Sequence, residues 1–250
     1  MKRLVTIAAY LMVVVLVGVS SLKSAEPGTT PGQAIVRTVK GHATYTKGTG
    51  GGSQILKANQ VLDAGDSITT SPDSFVYVSV NGLFSAVRVA AETTMVIKRM
   101  NRIGTGREGA TETTLDLKIG SIQGQVKKVT GDSQYEISTP HGIAGIRGTD
   151  FSVDVVANGN GTYTVTFTSL TGTVVATAVV NGQIQTKTLN GGESWTVGGD
   201  VVPVSIQLLN FQLQLINALI LAVQQAITIT PTPIGPIHIR PQPGGGSASG

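Results

Sequence analysis

Asn-Gly occurs five times in this chain, at Asn81-Gly82, Asn158-Gly159, Asn160-Gly161, Asn181-Gly182 and Asn190-Gly191. Both residues tolerate positive φ, so the dipeptide suits tight hairpin turns. Between such turns the side chains alternate with period two. Phe151, Val153 and Val155 point one way while Asp150, Ser152 and Asp154 point the other, and Tyr163, Val165 and Phe167 alternate with Thr164, Thr166 and Thr168. Phe75 to Val80 carries large apolar groups on both faces. That is the pattern of strands buried on one or both sides. From Ala34 to about Val202, turn signals recur about every ten residues, which predicts an all-β chain of a dozen or more short strands. The spacing fits a solenoid-like or a sandwich-like stack.

Composition narrows the classes further. Gly contributes 32 of 250 residues and charged residues only 13%. A coiled coil or long bundle would be rich in Ala, Glu, Lys and Leu. With 40% hydrophobic residues, the chain has enough apolar surface to build a core. There is no Cys and there are three His, His42, His141 and His238. Disulfides, thiol nucleophiles and Cys zinc sites are excluded, and no metal or other cofactor is expected.

The formal charge of +4 is misleading. Lys2, Arg3 and Lys23 sit in an export segment; without them 15 basic residues face 14 acidic ones. A near-neutral chain has no global field to draw nucleic acid, and none is expected as a partner. Lys2 and Arg3 precede an uncharged apolar run from Leu4 to Val19, followed by the small residues Ser20, Ser21, Ser24 and Ala25. This is the layout of a secretory signal, and residues 1–25 are read as a signal peptide with a retained anchor as the alternative. The run falls short of the ~20 residues that span a bilayer comfortably. The rest of the chain is expected in the periplasm, the cell envelope or the medium of a bacterium. Few residues precede Leu4, so no cytoplasmic domain is expected on that side.

Beyond Pro203 the character changes. Ser205 can cap a helix running to about Ile227. Five of its polar residues, Gln207, Asn210, Gln214, Asn217 and Gln224, step by three or four, apart from a gap at Leu221, and no Lys, Arg, Asp or Glu lies between Val201 and Ile239. A strand over Phe211–Leu215 is the competing reading. A helix on a soluble domain normally carries charge on its wet side. Three roles are therefore expected for residues 205–227, in this order: packing on the chain's own β domain, homo-oligomer formation, and contact with a membrane. Residues 229–250 are rich in Pro and Gly and are expected to be disordered.

Two loops interrupt the strands. Thr46 to Ser53 is read as a flexible excursion. Asn101 to Glu112 contains Gly104-Thr105-Gly106-Arg107-Glu108-Gly109, a formal match to a dinucleotide-binding pattern. That pattern needs a helix after it, whereas Thr113 to Leu117 reads as a strand, so no nucleotide is expected.

One stretch is more specific. Leu117 to Gly124 is followed by Tyr135-Glu136-Ile137-Ser138-Thr139-Pro140-His141-Gly142 and then Ile146-Arg147-Gly148-Thr149-Asp150-Phe151-Ser152-Val153. It resembles the FecR family of extracytoplasmic domains, whose pattern runs "L-x-x-G", then "F/Y-x-(hydrophobic)-x-T-P", then "R-G-T-x-F-x-V". Leu62 to Thr70, Leu170 to Val174 and Leu189 to Glu193 resemble its flanks. The resemblance implies a non-catalytic β domain over residues 60–200; the residue pattern places a β segment over 26–59 before it and the helix at 201–228 after it. Family members are often sensors that regulate a cytoplasmic sigma factor, and this sequence departs from that layout at both ends.

Thr139, Pro140, Gly142, Gly145, Arg147, Gly148, Thr149 and Phe151 are expected to be structural. A residue before Pro avoids the helical region, and glycines permit close strand approach. Arg147 is expected to clamp freed carbonyls, or Asp150 or Asp154, with a ligand contact as the alternative. His141 is read as structural. Asp150 and Asp154 stand roughly 13 Å apart along one strand at ~3.3 Å per residue, wider than paired glycosidase carboxylates. Asp63 and Asp66 are read as turn formers around Gly65. No catalytic residue is expected. The functional expectation is a protein-interaction module in the cell envelope, in signal sensing. The alternatives are a self-associating surface-assembly protein and a binder of envelope polysaccharide.

Overall fold

The computed structural model describes residues 28–82, 85–104, 110–127 and 133–228. The calls on the signal segment, on most of the Gly104–Gly109 loop and on the Pro/Gly tail lie outside these residues. In chain order the strands are β1 (Thr29–Pro31), β2 (Ala34–Lys40), β3 (Ala43–Thr46), β4 (Gln54–Ile55), β5 (Val61–Leu62) and β6 (Ser67–Thr70). Next come β7 (Phe75–Val80), β8 (Ser85–Val89), β9 (Thr94–Ile103), β10 (Ala110–Val126), β11 (Gln134–Ser138) and β12 (Gly142–Arg147). The last six are β13 (Asp150–Ala157), β14 (Tyr163–Ser169), β15 (Thr173–Val180), β16 (Gln183–Asn190), β17 (Glu193–Thr196) and β18 (Val201–Pro203). One helix, α1 (Ile206–Thr228), follows.

β10 holds the architecture together. Its first part pairs antiparallel with β9 and parallel with β11. From Gly120 onward it pairs antiparallel with β8 and β13. The strand therefore runs through two sheets. Sheet I has the order β4-β3-β6-β9-β10-β11-β12-β15-β16, with β1 on the far end of β9. Sheet II has the order β5-β2-β7-β8-β10-β13-β14-β17-β18. In both, strands from before β10 lie on one side of it and strands from after β10 on the other. The chain is all-β with a C-terminal helix, built as a sandwich.

The inner faces of both sheets meet in one core. Leu115, Leu117 and Ile122 of β10 lie in it, with Phe151, Phe167 and Trp195, all fully buried. The Trp195 indole N–H donates to the Gly199 carbonyl at 3.0 Å, which satisfies its one donor. β2 pairs with β7 and β3 with β6, and Ala34, Val36, Ala43 and Tyr45 lie in the same core.

The Asn-Gly pairs divide into different turns. Asn181 and Gly182, at φ 51° and 76°, join β15 to β16 as a two-residue hairpin of the kind expected. Asn158 to Thr162 make a longer loop between β13 and β14. Asn190-Gly191 makes no hairpin: β16 belongs to sheet I and β17 to sheet II, so this turn carries the chain across the sandwich.

The loop from Thr46 to Ser53 is anchored near its start, contrary to its reading as a flexible excursion. The Asp66 carboxylate, 3% exposed, accepts from Lys47 Nζ at 2.7 Å, from the Gly48 N–H at 3.0 Å and from the Asp63 N–H at 3.0 Å. Burial by itself would raise its pKa, but the Lys47 ammonium and the two N–H donors outweigh it and hold the carboxyl below its ordinary value. A depressed carboxylate pKa contributes stability that is present above the unfolded value, near 3.8, and is lost as pH falls through the folded value. Asp66→Asn is expected to lower stability at pH 7 by about 2 kcal/mol and to remove part of the acid-induced loss below about pH 4. Urea titrations of both proteins from pH 2 to 7 measure this; parallel curves would contradict it.

Gly120 marks the crossing of β10 between sheets. Its φ is +95°, and a Cβ there would lie 2.3 Å from Thr93 Oγ1 and 2.5 Å from Thr93 Cα. Gly120→Ala is expected to cost about 3 kcal/mol. Gly159→Ala, with nothing within 4 Å of its Cβ, is expected to change stability by less than about 0.5 kcal/mol. Chemical denaturation of the two variants separates them.

Candidate functional site

The Thr-Pro-His-Gly stretch forms the corner between β11 and β12. Thr139 closes it from both ends: its hydroxyl donates to the Gly142 carbonyl at 2.8 Å and accepts the Gly142 N–H at 3.0 Å. The Thr139 N–H also donates to the Gly142 carbonyl. Pro140 holds the preceding residue extended. A Cβ on Gly142 would meet the Thr177 carbonyl oxygen at 2.7 Å, so β12 can approach β15 this closely only with glycine. At Gly145 the nearest such contact is 3.8 Å, and the sequence expectation of a steric need is not met there. Gly148 takes φ 61° in the turn to β13. Thr149 and Phe151 are buried, and the Phe151 ring packs where a Cβ on Gly124 would stand, at 2.7 Å.

Arg147 is placed otherwise than expected. It is exposed at the end of β12, and its guanidinium makes no hydrogen bond or ion pair with any described residue. The carboxylates offered to it are taken. Asp150 accepts from Gln125 Nε2 at 2.9 Å and from the Thr171 hydroxyl at 3.0 Å. Asp154 accepts from the Ser152 hydroxyl at 3.2 Å; burial pushes its carboxyl up, with Ser121 and Ser152 opposing. β12 alternates Ile143, Gly145 and Arg147 on its outer face with Ala144 and Ile146 in the core, so the guanidinium is carried outward by the strand period. Arg147→Ala is expected to change stability by less than about 0.5 kcal/mol. A melt lowered by several degrees would restore the clamp.

His141 is also exposed, its ring 6.2 Å from that of Tyr163. It stands between two adjoining hollows. One, of about 420 Å³, is lined by Thr139, Pro140, His141, Ile143, Thr177, Val179 and Ile184. The other, of about 350 Å³, is lined by His141, Tyr163, Val179, Asn181 and Val197 among others. Together they make a groove at one end of sheet I. Its apolar lining faces water: Ile143 is 47% exposed, Val179 59% and Ile184 77%. Besides His141 and Tyr163, no ionisable side chain among the described residues lines it. β15 and β16 build the floor because Val175, Thr177 and Val179 alternate outward against Ala176 and Ala178 in the core. Beyond β16, no strand pairs among the described residues, so an eight-residue edge borders the groove.

Sheet II is different. Its outer face, with Tyr77, Ala86 and Leu170, is covered by Ile216, Leu219 and Val223 of α1. Ser205 caps the helix, its hydroxyl accepting the Leu208 N–H at 3.3 Å. The strand reading of Phe211–Leu215 is thereby excluded, and the first of the three expected helix roles is met on one face. Gln207, Asn210, Gln214, Asn217 and Gln224 are all exposed, with Gln224 at the rim of a hollow between α1 and β8.

A smaller hollow of about 20 Å³ lies between β8, β10 and β11. The hydroxyls of Ser85 and Tyr135 reach it without a hydrogen-bond partner among the described residues. Desolvation raises the Tyr135 phenol, partly opposed by the neighbouring Ser85 hydroxyl, which does not meet hydrogen-bond geometry. The volume suits one water-sized group. No sequence pattern marks Ser85 and Tyr135 as neighbours. Among the described residues no group of three or more His, Asp or Glu could hold a metal ion.

Residues 66–185 match the model of the FecR protein family. Two crystal structures of a candidate anti-sigma factor from Parabacteroides distasonis ATCC 8503, at 1.65 and 2.50 Å, are similar to the chain with TM-scores of 0.44 and 0.43. Each is 14% identical over 59% of this chain and 64% of that one, so the chain spans under two thirds of those relatives. No curated protein matches the chain.

Proposed function

Residues 66–185 are a FecR domain, and from that premise we propose that this chain is an exported, non-catalytic protein-interaction module of the bacterial cell envelope, acting in signal sensing. The observation that carries the proposal is the bare end of sheet I. The domain covers the outer face of one sheet with its own helix and leaves Ile143, Val179 and Ile184 exposed along two adjoining hollows at the end of the other. Contiguous exposed apolar surface rimmed by polar groups marks an interaction site. Here the rim is Thr139, Thr177, Asn181 and His141, and Arg147 stands outward from the same strand as Ile143. Aromatic and guanidinium groups beside apolar pockets are the usual anchors of protein interfaces. The partner is a protein surface or segment of little charge. The Lys2-Arg3 and Leu4–Val19 layout supports export.

A photo-reactive amino acid at Ile184 tests this in living cells. Ile55, 74% exposed on β4, is the control position. One envelope protein is expected to be captured from position 184 and not from position 55, and Val179→Lys is expected to abolish the adduct while leaving the melting temperature unchanged. Equal adducts from both positions would sink the groove as the site. Adducts with cytosolic proteins alone would sink the export reading. Retention on an envelope-polysaccharide column, lost in Val179→Lys and without any protein adduct, would replace the protein partner by a glycan.

A further inference from the structure

The five Asn-Gly pairs differ in how firmly the Asn side chain is held. Asn81 is 3% exposed and donates through Nδ2 to the Thr113 hydroxyl at 2.9 Å. Asn158 donates to the Thr162 hydroxyl at 2.9 Å and accepts from the Thr164 hydroxyl at 3.3 Å. The Asn160 side-chain carbonyl accepts from the N–H and the hydroxyl of Thr162, at 3.1 and 2.7 Å. The N–H that follows it, on Gly161, donates to the Asn158 carbonyl at 3.1 Å. Asn190 donates through Nδ2 to Glu193 Oε2 at 3.2 Å. Asn181 is the exception. It is exposed, and its side chain makes no hydrogen bond with any described residue. The N–H of Gly182 makes none either. The two residues stand at the tip of the β15–β16 hairpin, beyond its last rung of Val180 with Gln183. Around Gly182 there is open space, with nothing within 4 Å of where a Cβ would stand.

A free Asn side chain before glycine is a reactive pair. Asn is thermally labile, and glycine offers its backbone nitrogen with no Cβ to shield it. The Gly182 nitrogen loses its proton and attacks Asn181 Cγ. The N–Cγ bond forms, the Cγ–Nδ2 bond breaks, and ammonia leaves with that proton. Water then opens the five-membered imide at one of its two carbonyls. Opening at Cγ leaves aspartate; opening at the backbone carbonyl leaves isoaspartate, with one more carbon in the main chain. The step needs nitrogen and Cγ to reach each other, so an amide held by hydrogen bonds or by the core is protected. A hairpin tip lies at the low-stability end of a fold, and opening its last rung gives Asn181 that reach. We infer that Asn181-Gly182 is a site of spontaneous deamidation, which puts a negative charge into the hollow that Asn181 shares with His141, Tyr163, Val179 and Val197. A partner of little charge that covers this hollow must then bury a carboxylate, which weakens docking. That consequence rests on the groove being the docking site; the modification itself does not.

The full chain, incubated for several weeks at mildly alkaline pH, is digested and its peptides are weighed by mass spectrometry. Conversion is expected to be several-fold faster at Asn181 than at Asn81, Asn158, Asn160 or Asn190, with aspartate and isoaspartate both formed. Equal conversion at all five positions, or none at Asn181, overturns the inference. The effect of the charge is read with the photo-reactive group at Ile184 and isolated cell envelopes. Aged chain is expected to lose most of the adduct that fresh chain gives, and fresh Asn181→Asp to lose it likewise. Asn181→Gly, which keeps a turn-competent Gly-Gly pair and cannot convert, is expected to keep the adduct after ageing. Conversion at Asn181 with an undiminished adduct overturns the effect on docking. Conversion at Asn181 with no adduct from fresh chain counts against the groove and for the modification site.

Discussion

Everything in this fold depends on β10 being hydrogen-bonded into two sheets at once. A strand of 17 residues is long for a globular protein. It persists because each half finds its own pair of neighbours: β9 and β11 for the first, β8 and β13 for the second. The register shifts against β9 at Thr114/Leu115 and Leu117/Ile119, and the bend at Gly120 finishes the turn into sheet II. Irregularities of this kind increase local twist and re-aim a strand. The inward side chains of β10 then reach both inner faces, and one core serves the whole molecule.

From that construction follows the difference between the two outer faces. Sheet II lends Tyr77, Ala86 and Leu170 to α1, and the helix removes this apolar surface from water. Sheet I has no such cover near β12, β15 and β16, and Ile143, Val179 and Ile184 remain in solvent. The two outer faces thus differ: one is covered by α1, and the other leaves the hollows around His141 open to water.

The turn chemistry and the motif were partly legible in residue order. Asn181-Gly182 makes the expected hairpin because two residues at positive φ match the twist of flanking strands. Asn190-Gly191 has the same dipeptide and crosses between sheets, since the pairing of the next strand is decided by β14 and not by the turn. The helix was readable from its 3.6-residue pattern and Ser205 cap. Arg147 was misread as a clamp. Its neighbours Asp150 and Asp154 are close in sequence, but Gln125 of β10, Thr171 of the turn between β14 and β15, and Ser152 of the same strand reach them first.

Residue order by itself determined the class: alternating Val, Thr and aromatic residues with regular turns make strands, and an uncharged apolar run with amides makes a helix that needs partners. Those are local properties, fixed by side-chain period and backbone preference. Which strands pair, that β10 serves two sheets, that α1 covers sheet II and not sheet I, and that His141, Val179 and Ile184 meet across 44 residues were decided by tertiary structure alone. Such contacts depend on which faces the core leaves uncovered, and no periodicity in the sequence records that choice.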